Sequence, residues 1–178
     1  MPTTWIEIAD TAIKIGLGAL ISGASAYFLA RHNNTKSLEK EYLVKHRVML
    51  EQVTLDTEEM THALLKYWSF ILEWSRNKEK GLKNTSEKSE KIRDLRSEVF
   101  HLFKGLTNSE GRLLLLGCKE QQIKLREYGE KISEFYRYAS RNNDDLESEV
   151  LEAWRIKLLD SRESLYELLN KAYKNVKI

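Results

Sequence analysis

A seven-residue apolar period runs without a helix breaker from Leu43 to Trp74, and it restricts this chain more than any other feature. One series is Leu43, Leu50, Thr57, Leu64 and Ile71; the other is His46, Val53, Met60, Tyr67 and Trp74. Eight of these ten are apolar or aromatic, the pattern of a helix whose seam packs against long partner helices. The single proline is Pro2, so the main helix terminator is missing from everything that follows. The fold class predicted is all-α: a single N-terminal transmembrane helix followed by a long-helix, up-down four-helix bundle of coiled-coil-like packing. The 178 residues suffice for one compact domain plus an anchor, divided as residues 1–30 and 31–178.

Residues 77–87 are polar and turn-rich, which ends the first helix. A second helix is expected from about Ser86 to Lys104, with Ile92, Leu95, Val99, Leu102 and Phe103 on one side and Gly105 as its stop. Thr107-Asn108-Ser109-Glu110 has the form of a capping box, opening a third helix that runs to about Ser140. Its seam is Leu114, Cys118, Gln121, Leu125, Tyr128, Ile132, Phe135 and Ala139, with a possible bend at Gly117. After a turn at Arg141-Asn142-Asn143, the acidic Asp144, Asp145 and Glu147 suit the positive end of a fourth helix. That helix carries Leu151, Trp154, Leu158, Leu165, Leu168 and Ala172. A second helix of about 19 residues cannot flank a third of about 33, so either the third bends or another subunit completes the bundle.

The expected anchor is the uncharged stretch Ile15 to Ala30. Its sixteen residues cover roughly 24 Å, against a hydrocarbon core of about 30 Å, so the helix is extended back past a snorkelling Lys14. Ala24-Ser25-Ala26 resembles a signal-peptide cleavage site, but Glu7 and Asp10 stand where a basic start is usual. Lys14 alone precedes the span, whereas Arg31, Lys36, Lys40, Lys45 and Arg47 follow it. That asymmetry predicts an inner-membrane protein with its N-terminus outside and its C-terminal domain cytoplasmic. Lys14, Gly18, Ser22 and Ser25 share one face of the anchor and are the candidates for helix packing in lipid. At the far end Lys171, Lys174 and Lys177 are candidates for contact with anionic lipid head groups.

Chemistry is harder to find. Glu59 with His62 and Glu98 with His101 repeat the spacing of di-iron bundles, but on helical wheels they fall away from their seams, so no metal is expected. His46 reads as a seam residue fixing register, and the lone Cys118 as a small filler without a nucleophile's motif. Trp68, Phe70 and Trp74 read as packing rather than a ligand box. No phosphate-binding loop, zinc-finger spacing or zincin pair occurs, and no cofactor is expected. The run from Arg76 to Arg96 is locally basic, yet the net charge is only +2, so nucleic acid is not expected as a partner. The reading is of a non-enzyme: an oligomerising, membrane-anchored scaffold or sensor whose bundle binds a protein partner. A membrane effector that acts on assembly, as in toxin-like or phage-exclusion systems, is the alternative, and a tethered coiled-coil spacer the third class.

Overall fold

The computed structural model describes the backbone of residues 5–175 and the side chains of residues 25–31 and 36–174. The chain divides by compactness into Met1–Val44 with Ile178, and Lys45–Lys177. The described part is an all-helical bundle. Its elements are α1 (Trp5–Glu79), α2 (Ser86–Leu115), α3 (Lys119–Ala139), a 3-10 turn (Asn143–Asp145) and α4 (Ser148–Asn175).

The heptad series of α1 becomes the core. Leu50, Val53, Thr57, Met60, Leu64, Tyr67 and Ile71 are all buried. Opposite them lie Ile92, Leu95, Val99, Leu106 and Leu113 of α2, Leu125, Tyr128, Ile132 and Phe135 of α3, and Leu151, Leu158, Leu165 and Leu169 of α4. Paired residues give the helix directions. On α2, Lys88 meets Glu73 of α1 and Arg112 meets Asp56, so the two helices are antiparallel. On α4, Leu151 accepts from Trp68 and Tyr173 donates to Glu51, so α4 also opposes α1. Tyr128 and Ala139 of α3 meet Thr61 and Tyr67 in the same order along the chain, so α3 runs parallel to α1.

The helix ends differ from the sequence expectation in one place. α2 does not stop at Gly105; it continues through the presumed capping box to Leu115. Gly105 sits inside the helix, facing Asp56 of α1 at ordinary contact distance. Ser109, read as part of a cap, is buried and donates to Asp56 Oδ2 at 2.6 Å. The true stop is Gly117. Its φ is +71°, and its N–H donates to the Leu114 carbonyl while that of Cys118 donates to Leu113, the Schellman arrangement that favours glycine. Gly81 ends α1 the same way, with φ +69° and bonds to Lys78 and, through Leu82, to Asn77. With the break moved to Gly117, α2, α3 and α4 measure 30, 21 and 28 residues, so the third helix is shorter than its neighbours and needs no second subunit to flank it.

This placement makes two alanine substitutions differ in sign. Gly111 lies inside α2, just before its last turn, with open space around its α-carbon, so Gly111→Ala is expected to raise stability by about 0.5–1 kcal/mol. Gly117→Ala is expected to lower it by about 1–2 kcal/mol, because alanine is strained at positive φ. Urea denaturation of both variants checks the pair, and two changes of the same sign would misplace the end of α2.

The membrane expectation does not survive. Among the described residues, no helix is long and apolar enough to cross a membrane. From Arg31 onward α1 carries Lys36, Glu39, Lys40, Glu41, Lys45 and Arg47 at intervals of one or two turns or less, and each such charge at the centre of a span costs about 2.5–3.5 kcal/mol. The inner-membrane location with its outside-to-cytoplasmic topology is therefore corrected. The side chains of residues 15–24 in the expected span, at the positions Gly18 and Ser22 among them, lie outside what is described, as do those of Lys14 and Lys177.

Candidate functional site: two uncovered grooves on the bundle

The polar side chains that enter the bundle mostly satisfy one another. Tyr128 Oη and Thr61 Oγ1 are 2.8 Å apart, both buried. Tyr67 donates to the Ala139 carbonyl at 2.9 Å, closing the last turn of α3, and burial pushes its hydroxyl up to about 12. Between α1 and α4, Glu58 accepts from Tyr166 Oη at 2.6 Å and from Arg162 Nε at 3.1 Å. Desolvation alone would raise the Glu58 carboxyl; the Tyr166 hydroxyl and the Arg162 guanidinium outweigh it and hold the group below the usual carboxylate range. Burial first and then the bond to Glu58 raise Tyr166, and the bond to Glu58 raises Arg162, in each case strengthening a packing role rather than freeing a proton near neutrality. Glu79, at the end of α1, accepts from the Ser148 N–H and hydroxyl and so supplies the opening of α4 with an acceptor.

The residues singled out from sequence scatter. Glu59, His62, Glu98 and His101 are all exposed, and among the described residues no three His, Cys, Asp or Glu side chains gather. Cys118 is half-buried at the start of α3, where desolvation raises its thiol and works against nucleophilic use. Trp68 donates to the Leu151 carbonyl at 2.7 Å with Arg155 over its ring, and Trp74 donates to Asp144, so both dock the start of the α4 region. Ser25 is exposed on α1, and Lys171 and Lys174 are exposed on the last turns of α4. Leu114, placed in a seam from sequence, belongs to the end of α2 and is exposed.

What remains on the outside is apolar surface with shape. A groove of about 490 Å³ between α1 and α4 is lined by Leu50, Leu55, Tyr166, Leu169 and Tyr173, with Glu51, Thr54 and Asn170. Leu55 is 61 % exposed, and Val48, less than two turns before it on α1, is 56 % exposed. A second groove of about 620 Å³ lies between α2 and α3, formed by Phe100, His101, Phe103, Lys104, Ser133, Tyr136 and Arg137. It leads into a third hollow of about 450 Å³ that shares Phe103, Ser133 and Arg137 and is flanked by Glu110, Glu130 and Glu134. Phe100 and Leu55 lie outside the seams expected from the sequence. The available signal was a large apolar residue well off the heptad stripe of its helix, which intrachain packing cannot cover.

In comparisons with protein-family models, curated proteins and solved structures, nothing matches the chain.

Proposed function

We propose that this chain is a non-enzymatic helical-bundle scaffold that associates with itself and binds a protein partner. One observation carries the reading: the bundle closes its core within one chain, yet large apolar side chains stay outside, and Leu55, Tyr173 and Phe100 among them line two grooves. Shaped apolar patches bordered by polar residues mark contact surfaces. The buried polar groups argue the same way. They are engaged in fixing helix against helix, and neither the Glu58 carboxylate, held low, nor the Cys118 thiol, raised elsewhere on the bundle, supplies an acid or base poised near neutrality. The bilayer effector is set aside, because it depends on the corrected membrane location.

Self-association belongs to the α1–α4 groove, where Leu55 lines the hollow that a second copy would fill and Val48 is exposed less than two turns earlier on α1. Sedimentation of the full chain is expected to give an oligomer, and Val48→Glu with Leu55→Glu a monomer of unchanged helicity, since both side chains are outside the core. A wild-type monomer at high concentration would sink self-association. An unaltered oligomer in the double variant would remove this groove from it.

A further inference from the structure

We propose that the α2–α3 groove receives an acidic protein segment that presents one aromatic or branched apolar side chain as its anchor. The inference rests on the scaffold reading and gives it a partner class. Phe100 is 61 % exposed although it belongs to an aromatic cluster: its ring lies 6.4 Å from Tyr136 at 38°, and Phe103 meets Tyr136 edge-on at 6.3 Å. An exposed ring held by its neighbours forms a preorganised apolar seat, and binding loses little side-chain freedom there.

The charges around that seat are of one sign. The groove at Phe100 is bordered by His101, Lys104 and Arg137, with Ser133, and no carboxylate lines it. Some bases elsewhere on the bundle are paired, Lys88 with Glu73, Arg112 with Asp56, Arg126 with Glu110 and Arg162 with Glu58, and others, such as Lys66 and Lys91, form no ion pair among the described residues. Among the described residues, neither Lys104 nor Arg137 forms an ion pair within the chain. Two uncommitted cations flanking an aromatic seat complement carboxylates on either side of an apolar anchor.

Rings and cations together also suit single-stranded nucleic acid. The continuation of the groove decides against it. Past Phe103 the walls carry Glu130 and Glu134 beside Glu110, which is already paired with Arg126, so a phosphate backbone extending beyond the seat meets two carboxylates that form no ion pair among the described residues. A protein segment can confine its acids to the residues next to its anchor, so the same continuation is open to it.

The test uses the full chain and a short fluorescein-labelled peptide rich in Glu and Asp with one central Phe, read by anisotropy at low salt. Controls are the same peptide with Ser for Phe, a Lys-rich analogue, and a labelled oligothymidine. Binding is expected for the acidic Phe peptide, weakened roughly tenfold or more by Lys104→Glu with Arg137→Glu, and weakened likewise by Phe100→Ser. The Val48→Glu and Leu55→Glu variant, altered on the other groove, should bind normally. No binding, equal binding of the Lys-rich analogue, indifference to the charge reversals, or preference for the oligothymidine would each overturn the assignment. Sedimentation of the same samples keeps the two readings apart: an oligomer that ignores the acidic peptide loses this partner class alone, whereas a chain that neither assembles nor binds loses the scaffold as well.

Discussion

Replacing Phe135 with alanine is expected to lower the stability of the bundle by about 3–5 kcal/mol, the usual range for emptying a buried phenylalanine site. Phe135 is fully buried where α1, α3 and α4 meet. Its ring stands edge-on to Tyr67 at 6.2 Å and to Trp154 at 6.0 Å, and such aromatic pairs contribute about 0.5–1.5 kcal/mol beyond burial. The site is poorly able to collapse, because Tyr67 is held by its bond to Ala139 and Trp154 rests between Tyr138 and Lys157. Phe135→Leu keeps most of the volume and should cost clearly less. Urea unfolding followed by circular dichroism gives both values. A loss under about 1.5 kcal/mol for alanine, well below the usual range, would mean that the three helices do not converge on this ring.

Much of this core was readable from spacing. The α1 series predicted Leu50, Val53, Met60, Leu64, Tyr67 and Ile71 as buried, and Leu125, Tyr128, Ile132, Phe135 and Ala139 were placed correctly on α3. Heptads are legible because burial on a helix repeats with the helix period. The end of α2 was not. Gly105 followed by Thr-Asn-Ser-Glu imitates a stop and a start, yet the helix continues because Leu106, Ser109 and Leu113 are held against the core, and packing overrides a glycine's cost of about 1 kcal/mol. Gly117 did carry a usable signal, but it competed with an apparently stronger one twelve residues earlier.

The grooves were less legible still. Phe100 and Tyr136 sit on different helices, and their closeness follows from how α2 and α3 are set against each other. The apolar stretch before Arg31 drew the sequence reading toward a membrane because local hydropathy is the loudest signal a single sequence offers. The described helices contain no span to match it.

The second large effect is expected at Asp56, where Asp56→Ala should cost about 2–4 kcal/mol. One carboxylate serves three donors from two helices: Gln52 Nε2 at 2.8 Å, Ser109 Oγ at 2.6 Å and Arg112 Nη1 at 2.5 Å. Its side chain is 13 % exposed, that of Arg112 is 30 % exposed, and Ser109 is fully buried. Alanine therefore leaves a buried hydroxyl without its acceptor and a cation that must find water from a half-covered position. Removing Arg112 is the milder change, because Asp56 keeps Ser109 and Gln52 and has only one bond to replace. The asymmetry separates this network from an exposed ion pair, whose deletion costs about 0–1 kcal/mol from either side. Asp56→Asn should fall between, keeping an acceptor for Ser109 while abandoning the charge of Arg112. The double variant Asp56→Ala with Arg112→Met should recover part of the loss, since no charge is then left behind. A full cycle in urea measures all four. If Asp56→Ala and Arg112→Met each cost well under about 1 kcal/mol and simply add, the pair behaves as a surface contact, and the crossing of α1 and α2 is then held by apolar packing alone.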